Sequence, residues 1–461
     1  MTKETLLTLA SAFLLATPTV AQEREDVYER SKAYEWPTDA QVVSKLHDWQ
    51  DKKFGVLMHW GLYAVPGIVE SWSICDEDWI TRDTTMTYQQ YKDWYWGLAD
   101  EFNPTQFNPE QWAKVMSDAG MKYMIFTTKH HDGFCMFDSK HTDFSIAHHA
   151  FKDNPKRDVL LHVLNAFREK HFMTGTYFSK PDWHSQDYWW DVYPTKRGRN
   201  VNYDIKKWPW RWTRYKQFVY DQMNEILSRY GKVDILWLDG GWVDKGNGQD
   251  IDMPRIADMA RRNQPGIIMV DRTIHGPYEN YQTPERTIPE TQLNYPWESC
   301  IPLSDDWGYV KRPRWKSPEK VIATLVEVVA KGGNLVLGVG PTPEGLIQDE
   351  AVSRLEAIGK WLRANGEAIY GTTITPNYQN GNIWFTANKD GRTLYAIYVA
   401  QEGTNAPTTI SWTGNQPKGK VTLLLNGKKL TTKVRDGKTT ITIPKGMVKG
   451  GQSFALKFTK A

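Results

Sequence analysis

The sequence predicts an α/β chain in which a parallel (β/α)-barrel is followed by a small antiparallel β-sandwich. Three observations carry that expectation. Apolar strand-like runs alternate with amphipathic helical stretches from Phe54 to Gly340, the pattern of consecutive parallel βα units. Their number and a span of roughly 340 residues favour a closed barrel over an open sheet, and no glycine-rich dinucleotide or phosphate fingerprint follows any strand. Beyond Gly371 the pattern changes to short alternating segments such as NIWFTAN, TLYAIYVA and TTITIP, with hairpin signals at Asn426-Gly427 and Asp436-Gly437; this reads as an all-β module. The division expected is an export signal over residues 1–21, the barrel over 22–370 and the sandwich over 371–461.

Bulk properties narrow the function. A chain of 461 residues is too long for one ordinary domain and can bury a large core. A formal net charge of +3 gives no strong electrostatic case for nucleic acid or an acidic membrane as partner. The short basic cluster Lys206, Lys207, Arg211 and Arg214, interleaved with Trp208, Trp210 and Trp212, mimics a single-strand nucleic-acid platform, but reads better as a solvated loop or helix start. The compositional anomaly is 22 tryptophans, flat aromatic surface that suits carbohydrate. The leader MTKETLLTLASAFLLATPTVAQ predicts cleavage after Ala21 and a periplasmic or secreted location; its apolar stretch is too short to span a bilayer. Cys75, Cys135 and Cys300 form an odd set without metal spacing.

In chain order, a polar lead-in over residues 23–45 precedes FGVLMHWG, a buried strand ending at His59-Trp60-Gly61. A helix follows with Asn108 as cap, Pro109 in its first turn and Gly120 at its end. MKYMIFTTKHHDGF is the next strand. A helix from about Arg157, with Leu160, Val163, Leu164 and Phe167 on one face, leads into the strand-like FMTGTYFS. A Trp- and Tyr-rich insertion and a helix near Tyr215–Tyr230 come before VDILWLDGGW. This run, bounded by glycine, reads as a strand buried on both faces, which delivers Asp239 to the rim where α/β proteins place their chemistry. GIIMVDR is a further strand ending at Arg272. SPEKVIATLVEVVAKGG shows the full grammar of a helix, with Ser317 as cap and Gly332-Gly333 as terminator, and NLVLGVG closes the series.

His59, His130-His131-Asp132, Tyr177, Asp239 and Arg272 all stand at strand ends, and in a barrel these converge on one face. A metal reading of the HHD cluster is disfavoured because neighbours on a strand point to opposite faces and the HExxH helix is missing. Hydrogen bonding to substrate hydroxyls is expected instead. The adjacent His148-His149 reads as solvated loop, and GxSxG is absent. Glycoside cleavage needs one charged carboxyl and one that keeps its proton until the leaving oxygen takes it. Asp239 is the candidate nucleophile; Glu279, Glu285, Glu290 and Glu298 are all open as its partner. In the C-terminal module, Trp384 and Trp412 are expected to pack inside.

FGVLMHWG, TTKHHDGFCMFDSKHTDFS, VDILWLDGG and KGGNLVLGVGPTPEG together resemble the retaining α-L-fucosidases of glycoside hydrolase family twenty-nine, over residues from about 40 to 370. The resemblance implies a (β/α)8-like TIM barrel with a C-terminal antiparallel β-sandwich, no metal or other cofactor, and hydrolysis of terminal α-L-fucose from fucosylated glycans by double displacement. Residue by residue, it implies Asp239 as nucleophile, with Trp237 beside it, and Glu285, in YQTPE, as acid/base with Glu298 in reserve. His59, His130, His131, Tyr177 and Arg272 become substrate-binding or site-organising groups. The family's Glu-Trp pair has two counterparts in ESWSICDEDW; Asp78-Trp79 is preferred here over Glu70-Trp72. The rivals are a fucose-binding lectin-like protein and an α-L-galactosidase.

Overall fold

The computed structural model describes residues 34–461 apart from positions 76, 78, 196 and 197, so the expected export signal lies outside the described residues. Where a polar lead-in was expected to run to Lys45, helix α1 (Ala40–Lys52) begins under an Asp39 cap. Its Leu46 and Trp49 enter the barrel interior. No helix among the described residues is long and apolar enough to cross a membrane.

Seven strands, β1 (Phe54–Met58), β2 (Tyr123–Lys129), β3 (Met173–Ser179), β4 (Ile235–Asp239), β5 (Ile268–Asp271), β6 (Glu298–Pro302) and β7 (Asn334–Gly338), form one parallel sheet in the order β5-β4-β3-β2-β1-β7-β6. All five residues of β1 and all seven of β2 and of β3 are buried, as strands covered on both faces require. Alternation sends Leu57, Ile125, Tyr177, Trp237 and Val270 into the barrel and Val56, Met58, Met124 and Leu236 toward the helices. The helical layer includes α2 (Tyr88–Gly97), α3 (Pro109–Asp118), α4 (Val159–Glu169), α5 (Pro209–Arg229), α6 (Met253–Asn263), α7 (Pro318–Ala330) and α8 (Asp349–Asn365). The caps read from sequence operate: Asn108 accepts from Gln111 N at 3.0 Å and Ser317 from Lys320 N at 3.2 Å.

The regular strands number seven. The seam between β5 and β6 is filled by an irregular segment, residues 278–286, bonded on both sides. Asp271 N donates to Tyr278 O and Asn280 N to Met269 O on the β5 side; Glu298 N donates to Gln282 O and Arg286 N to Cys300 O on the β6 side. The unpaired edges that an open sheet would expose are thereby satisfied.

The basic cluster of the sequence lies at the start of α5, not on a binding platform. Arg211 and Arg214 both pair with Asp187, at 3.0 and 2.5 Å, and Arg211 stacks 3.7 Å from the Trp190 ring.

After α8 the chain forms an eight-stranded antiparallel sheet, β8 (Gln379–Asn380), β9 (Ile383–Ala387), β10 (Thr393–Tyr398), β11 (Thr409–Thr413), β12 (Val421–Leu423), β13 (Lys429–Arg435), β14 (Lys438–Thr442) and β15 (Phe454–Thr459), in the order β11-β14-β13-β12-β15-β10-β9-β8. Asp436 and Gly437 take positive φ between β13 and β14, the two-residue hairpin the sequence announced. Trp412 packs on Phe385 and Phe458 inside this module. Trp384 is buried in the core shared with the barrel, so neither ring is offered to a ligand.

Helix α8 packs against α3 so closely that Gly359 leaves no room for a side chain: an added Cβ would stand 2.0 Å from Asp118 O. Alanine in a helix interior normally gains up to about 1 kcal/mol over glycine. Here the clash reverses the sign, and Gly359→Ala is expected to lower stability in urea unfolding by about 1–3 kcal/mol; a stabilised variant would contradict this packing.

Candidate active site

The C-terminal strand ends surround a cavity of about 370 Å³. The first five strands deliver one part each. His59 follows β1, His130 follows β2, Tyr177 stands on β3, Asp239 ends β4 and Arg272 follows β5. The seam segment supplies Glu285, and Glu70, Trp72 and Trp307 come from loops.

Asp239 lies deep, its side chain 15% exposed. Tyr177 Oη donates to Oδ2 at 2.7 Å, while Arg272 Nη1 and Gly240 N donate to Oδ1 at 3.1 and 2.8 Å. His131 Nε2 is 3.7 Å from Oδ2. Burial alone would raise this carboxyl; Arg272, His131, Tyr177 and the Gly240 amide outweigh it and hold the group far below the usual carboxylate range. The surroundings of Asp239 therefore favour its charged form.

Arg272 is shared. Its Nη2 donates to Glu285 Oε2, and its guanidinium lies 5.2 Å from the Trp237 ring. Glu285 also accepts from Trp307 Nε1 at 3.2 Å, and its side chain is 39% exposed. One carboxylate thus sits at the cavity floor and the other at its mouth, joined by one cation.

The paired histidines stand beyond the end of β2, at Lys129, so strand alternation does not separate them. Their ring centroids are 4.3 Å apart. Ser179 Oγ donates to Pro181 O at 2.7 Å and lies 2.6 Å from His131 Nδ1, so Nδ1 carries the proton and donates to the serine. Burial, only partly offset by Asp239, pushes His131 down to about 4. Its Nε2 is left as a buried acceptor with no partner, and His59 Nδ1 is likewise unpaired. Buried polar atoms without partners at a cavity wall mark places for ligand hydroxyls. Donor atoms of His130, His131 and Asp239 lie within 4.8 Å of one another. However, His130 Nδ1 is engaged by Ser71 at 2.5 Å and Asp239 by Arg272, which already places a cation beside the carboxylate. The donor set fits a metal poorly.

Most of the expected site residues are brought together here: Asp239, Glu285, His59, His130, Tyr177, Trp237 and Arg272 line the cavity, with His131 against Asp239. The preferred Asp78-Trp79 pair is described only in part. Asp78 lies outside the described residues. Trp79 is 55% exposed and outside the cavity, its ring centroid 5.4 Å from that of Trp72. Glu70 and Trp72 line the cavity instead. Glu70 Oε1 accepts from Trp307 N and Gly308 N at 2.7 and 2.9 Å, tying two loops together; burial pushes it up to about 7. Arg199, Trp242 and Trp307 also line the cavity; Trp242 closes the VDILWLDGGW run, whereas Arg199 and Trp307 come from loops without periodicity, and no sequence signal singled those two out.

The other acids fall elsewhere. Glu279 is buried against Thr273 N and His275. Glu290 does not line the cavity. Glu298, the reserve, begins β6 and so lies at the opposite end of the barrel, fully buried. Tyr123 Oη donates to it at 2.7 Å, while the Trp237 indole N–H and Tyr281 hydroxyl face it without closing full hydrogen bonds.

Residues 21–367 match the family model described as Alpha-L-fucosidase. The chain is 30% identical to the tissue alpha-L-fucosidase of Bos taurus over 79% of its length and 77% of that protein's, and 28% identical to that of Homo sapiens over 79% and 78%. Among solved structures, it is similar to alpha-L-fucosidase isoenzyme 1 from Paenibacillus thiaminolyticus, with 27% identity, TM-score 0.76 and coverage of 92% and 100%. It is also similar to Thermotoga maritima alpha-fucosidase in complex with fucose, with 28% identity, TM-score 0.72 and the same coverage. A third is a trapped covalent intermediate of a Bacteroides thetaiotaomicron alpha-L-fucosidase, with 25% identity, TM-score 0.73 and coverage of 93% and 99%.

Burial raises Glu298 from 4.5 to about 7. A carboxyl with a raised folded value contributes stability that is complete below about pH 4.5 and is lost as pH rises through about 7. Glu298→Gln keeps an acceptor for Tyr123 and removes the titration. Relative to the unsubstituted protein, this variant should gain about 3 kcal/mol in urea unfolding between about pH 4.5 and pH 8. A pH-independent difference would place Glu298 in a wetter setting than its contacts describe.

Proposed function

From the premise that this chain belongs to the α-L-fucosidase family, we propose that Asp239 is its nucleophile and Glu285 its acid/base. The protein is a retaining α-L-fucosidase, a glycoside hydrolase acting on fucosylated glycans. In the first step an Asp239 oxygen attacks the anomeric carbon, the bond to the leaving oxygen breaks, and Glu285 gives that oxygen its proton. In the second step Glu285 takes a proton from water, whose oxygen attacks the same carbon and releases Asp239. Terminal α-L-fucose leaves with its configuration retained.

The observation that carries these roles is the shared Arg272. It neutralises part of Asp239's charge in the free enzyme and touches Glu285 with its other nitrogen. Exposure supports the division: Asp239 is recessed at the cavity floor, whereas Glu285 stands at the mouth, where a leaving group departs and water enters. The reading gives His59, His130 and His131 to the fucose hydroxyls, with the unpaired His59 Nδ1 and His131 Nε2 as contact atoms. Tyr177 and Arg272 orient Asp239. Trp237 and Trp72 offer apolar surface, and Glu70 holds the loop that carries Trp307. The leader sequence supports a periplasmic or secreted enzyme.

The test is turnover of an aryl α-L-fucoside. Asp239→Ala should fall by about 10³-fold or more with the fold intact. Glu285→Ala should lose about 10²- to 10⁴-fold and recover with azide, yielding a fucosyl azide. Azide rescue of Glu298→Ala in place of Glu285→Ala would overturn the acid/base assignment.

A further inference from the structure

The modest net charge conceals a segregation. Residues 418–449 hold nine Lys or Arg and a single acid, Asp436, so the remaining chain carries 48 bases against 53 acids. All nine cations are exposed. Among the described residues, Arg435 alone of them has an acid within ion-pair distance, Asp436 at 3.4 Å.

Strand register gathers several of these cations on one face. On β13, Leu430 is buried, which turns Lys429, Thr431, Lys433 and Arg435 outward; on β14, buried Thr439 and Ile441 turn Lys438, Thr440 and Thr442 outward. Arg435 lies directly across from Lys438 and Lys433 from Thr440, and β11 adds Thr409 and Thr413 opposite Thr442 and Lys438. Like charges directly opposed across a ladder are destabilising. Lysine that guards a sheet against edge pairing belongs on an edge strand; β14 is flanked by β11 and β13, whereas β13 is covered by β12 only at Lys429 and Leu430. Local stability does not account for this face, and edge protection does not account for Lys429 or Lys438, which lie on covered stretches.

We propose that the outer face of β13 and β14 binds a polyanionic polysaccharide, sulfated or carboxylated, and so holds the enzyme on anionic glycans that carry fucose. Hydroxyl and ammonium groups alternate there along about 20 Å of strand, matching a ligand with repeated anionic groups and many hydroxyls. The alternating outward positions of β13 and β14 carry no aromatic ring for stacking nucleobases. They also carry none of the Trp, Phe or Leu anchors of a membrane-surface element. The choice of a glycan among polyanions rests on the fucosidase reading. Weak contact at this face, linked to the catalytic cavity, raises the local concentration of fucosyl ends.

The experiment measures binding of the full chain to dextran sulfate, neutral dextran, duplex DNA and anionic phospholipid vesicles at several salt concentrations. Aryl fucoside turnover is read on the same samples, so failure of the fucosidase reading shows separately. Dextran sulfate should bind at about 0.1 M salt, with affinity falling steeply as salt rises, and neutral dextran should not. Lys429→Gln, Lys433→Gln and Lys438→Gln combined should weaken binding about tenfold or more and flatten the salt dependence, with turnover unchanged. Undiminished binding by the triple variant overturns the proposal. So does tighter binding to DNA or vesicles than to dextran sulfate, or no binding to dextran sulfate at all.

Discussion

A carboxylate recessed at the floor of a cavity must have its charge answered by fixed groups, and at Asp239 three parts of the chain do so. β3 brings the Tyr177 hydroxyl, the end of β5 brings Arg272, and the turn after β4 brings the Gly240 amide. This works only while β3, β4 and β5 stay in register, with Ser179 beside Asp239 and Leu238 beside Asp271. Two features enforce that register. Lys180 reaches from the end of β3 to Asp271 on β5, a fully buried ion pair at 2.5 Å, and Lys180 N bonds Asp239 O at 3.0 Å. Gly240 turns the chain at φ 88° beside Pro181, where an added Cβ would stand 2.3 Å from the proline ring. A buried pair in this position fixes geometry more than it adds stability.

The second carboxyl depends on a departure from regular barrel architecture. An eighth strand between β5 and β6 would alternate its side chains between interior and helix layer. The irregular segment in that seam instead keeps its backbone bonded on both sides while Glu285 reaches Arg272. The two carboxyl groups therefore sit in different environments from one shared cation, the asymmetry that a nucleophile and an acid/base require. At the opposite end, Tyr123, Tyr281 and Trp49 enclose Glu298 and the barrel floor, so that acid is spent on closing the interior.

Elements that depend on near neighbours were legible in the sequence. Buried strands ending in a polar residue, the Asn108 and Ser317 caps and the Asp436-Gly437 hairpin are written within a few residues, and the strand-end rule then gathers His59, Tyr177, Asp239 and Arg272. What could not be read depends on three-dimensional placement. ESWSICDEDW contains two acid-and-tryptophan pairs a few residues apart, and only the turn at Ser71–Ile74 decides that Glu70 and Trp72 face the cavity. Pattern alone left four acids open after Arg272; the family resemblance selected Glu285, and the seam segment shows what sets it apart from Glu298. The opposite-face reasoning for His130-His131 failed because β2 stops at Lys129, before either histidine. The cationic face was invisible because a chain-wide charge balance averages over a segregated distribution.

The most direct test of this account is reaction with 2-fluoro-fucosyl fluoride, followed by mass spectrometry of the intact protein and its peptides. The fluorine slows release of the covalent intermediate, so one fucosyl adduct per chain should accumulate on the peptide containing Asp239. An adduct on a different residue, or no adduct together with product of inverted configuration, would contradict the central role given to this recessed, three-way-braced carboxylate.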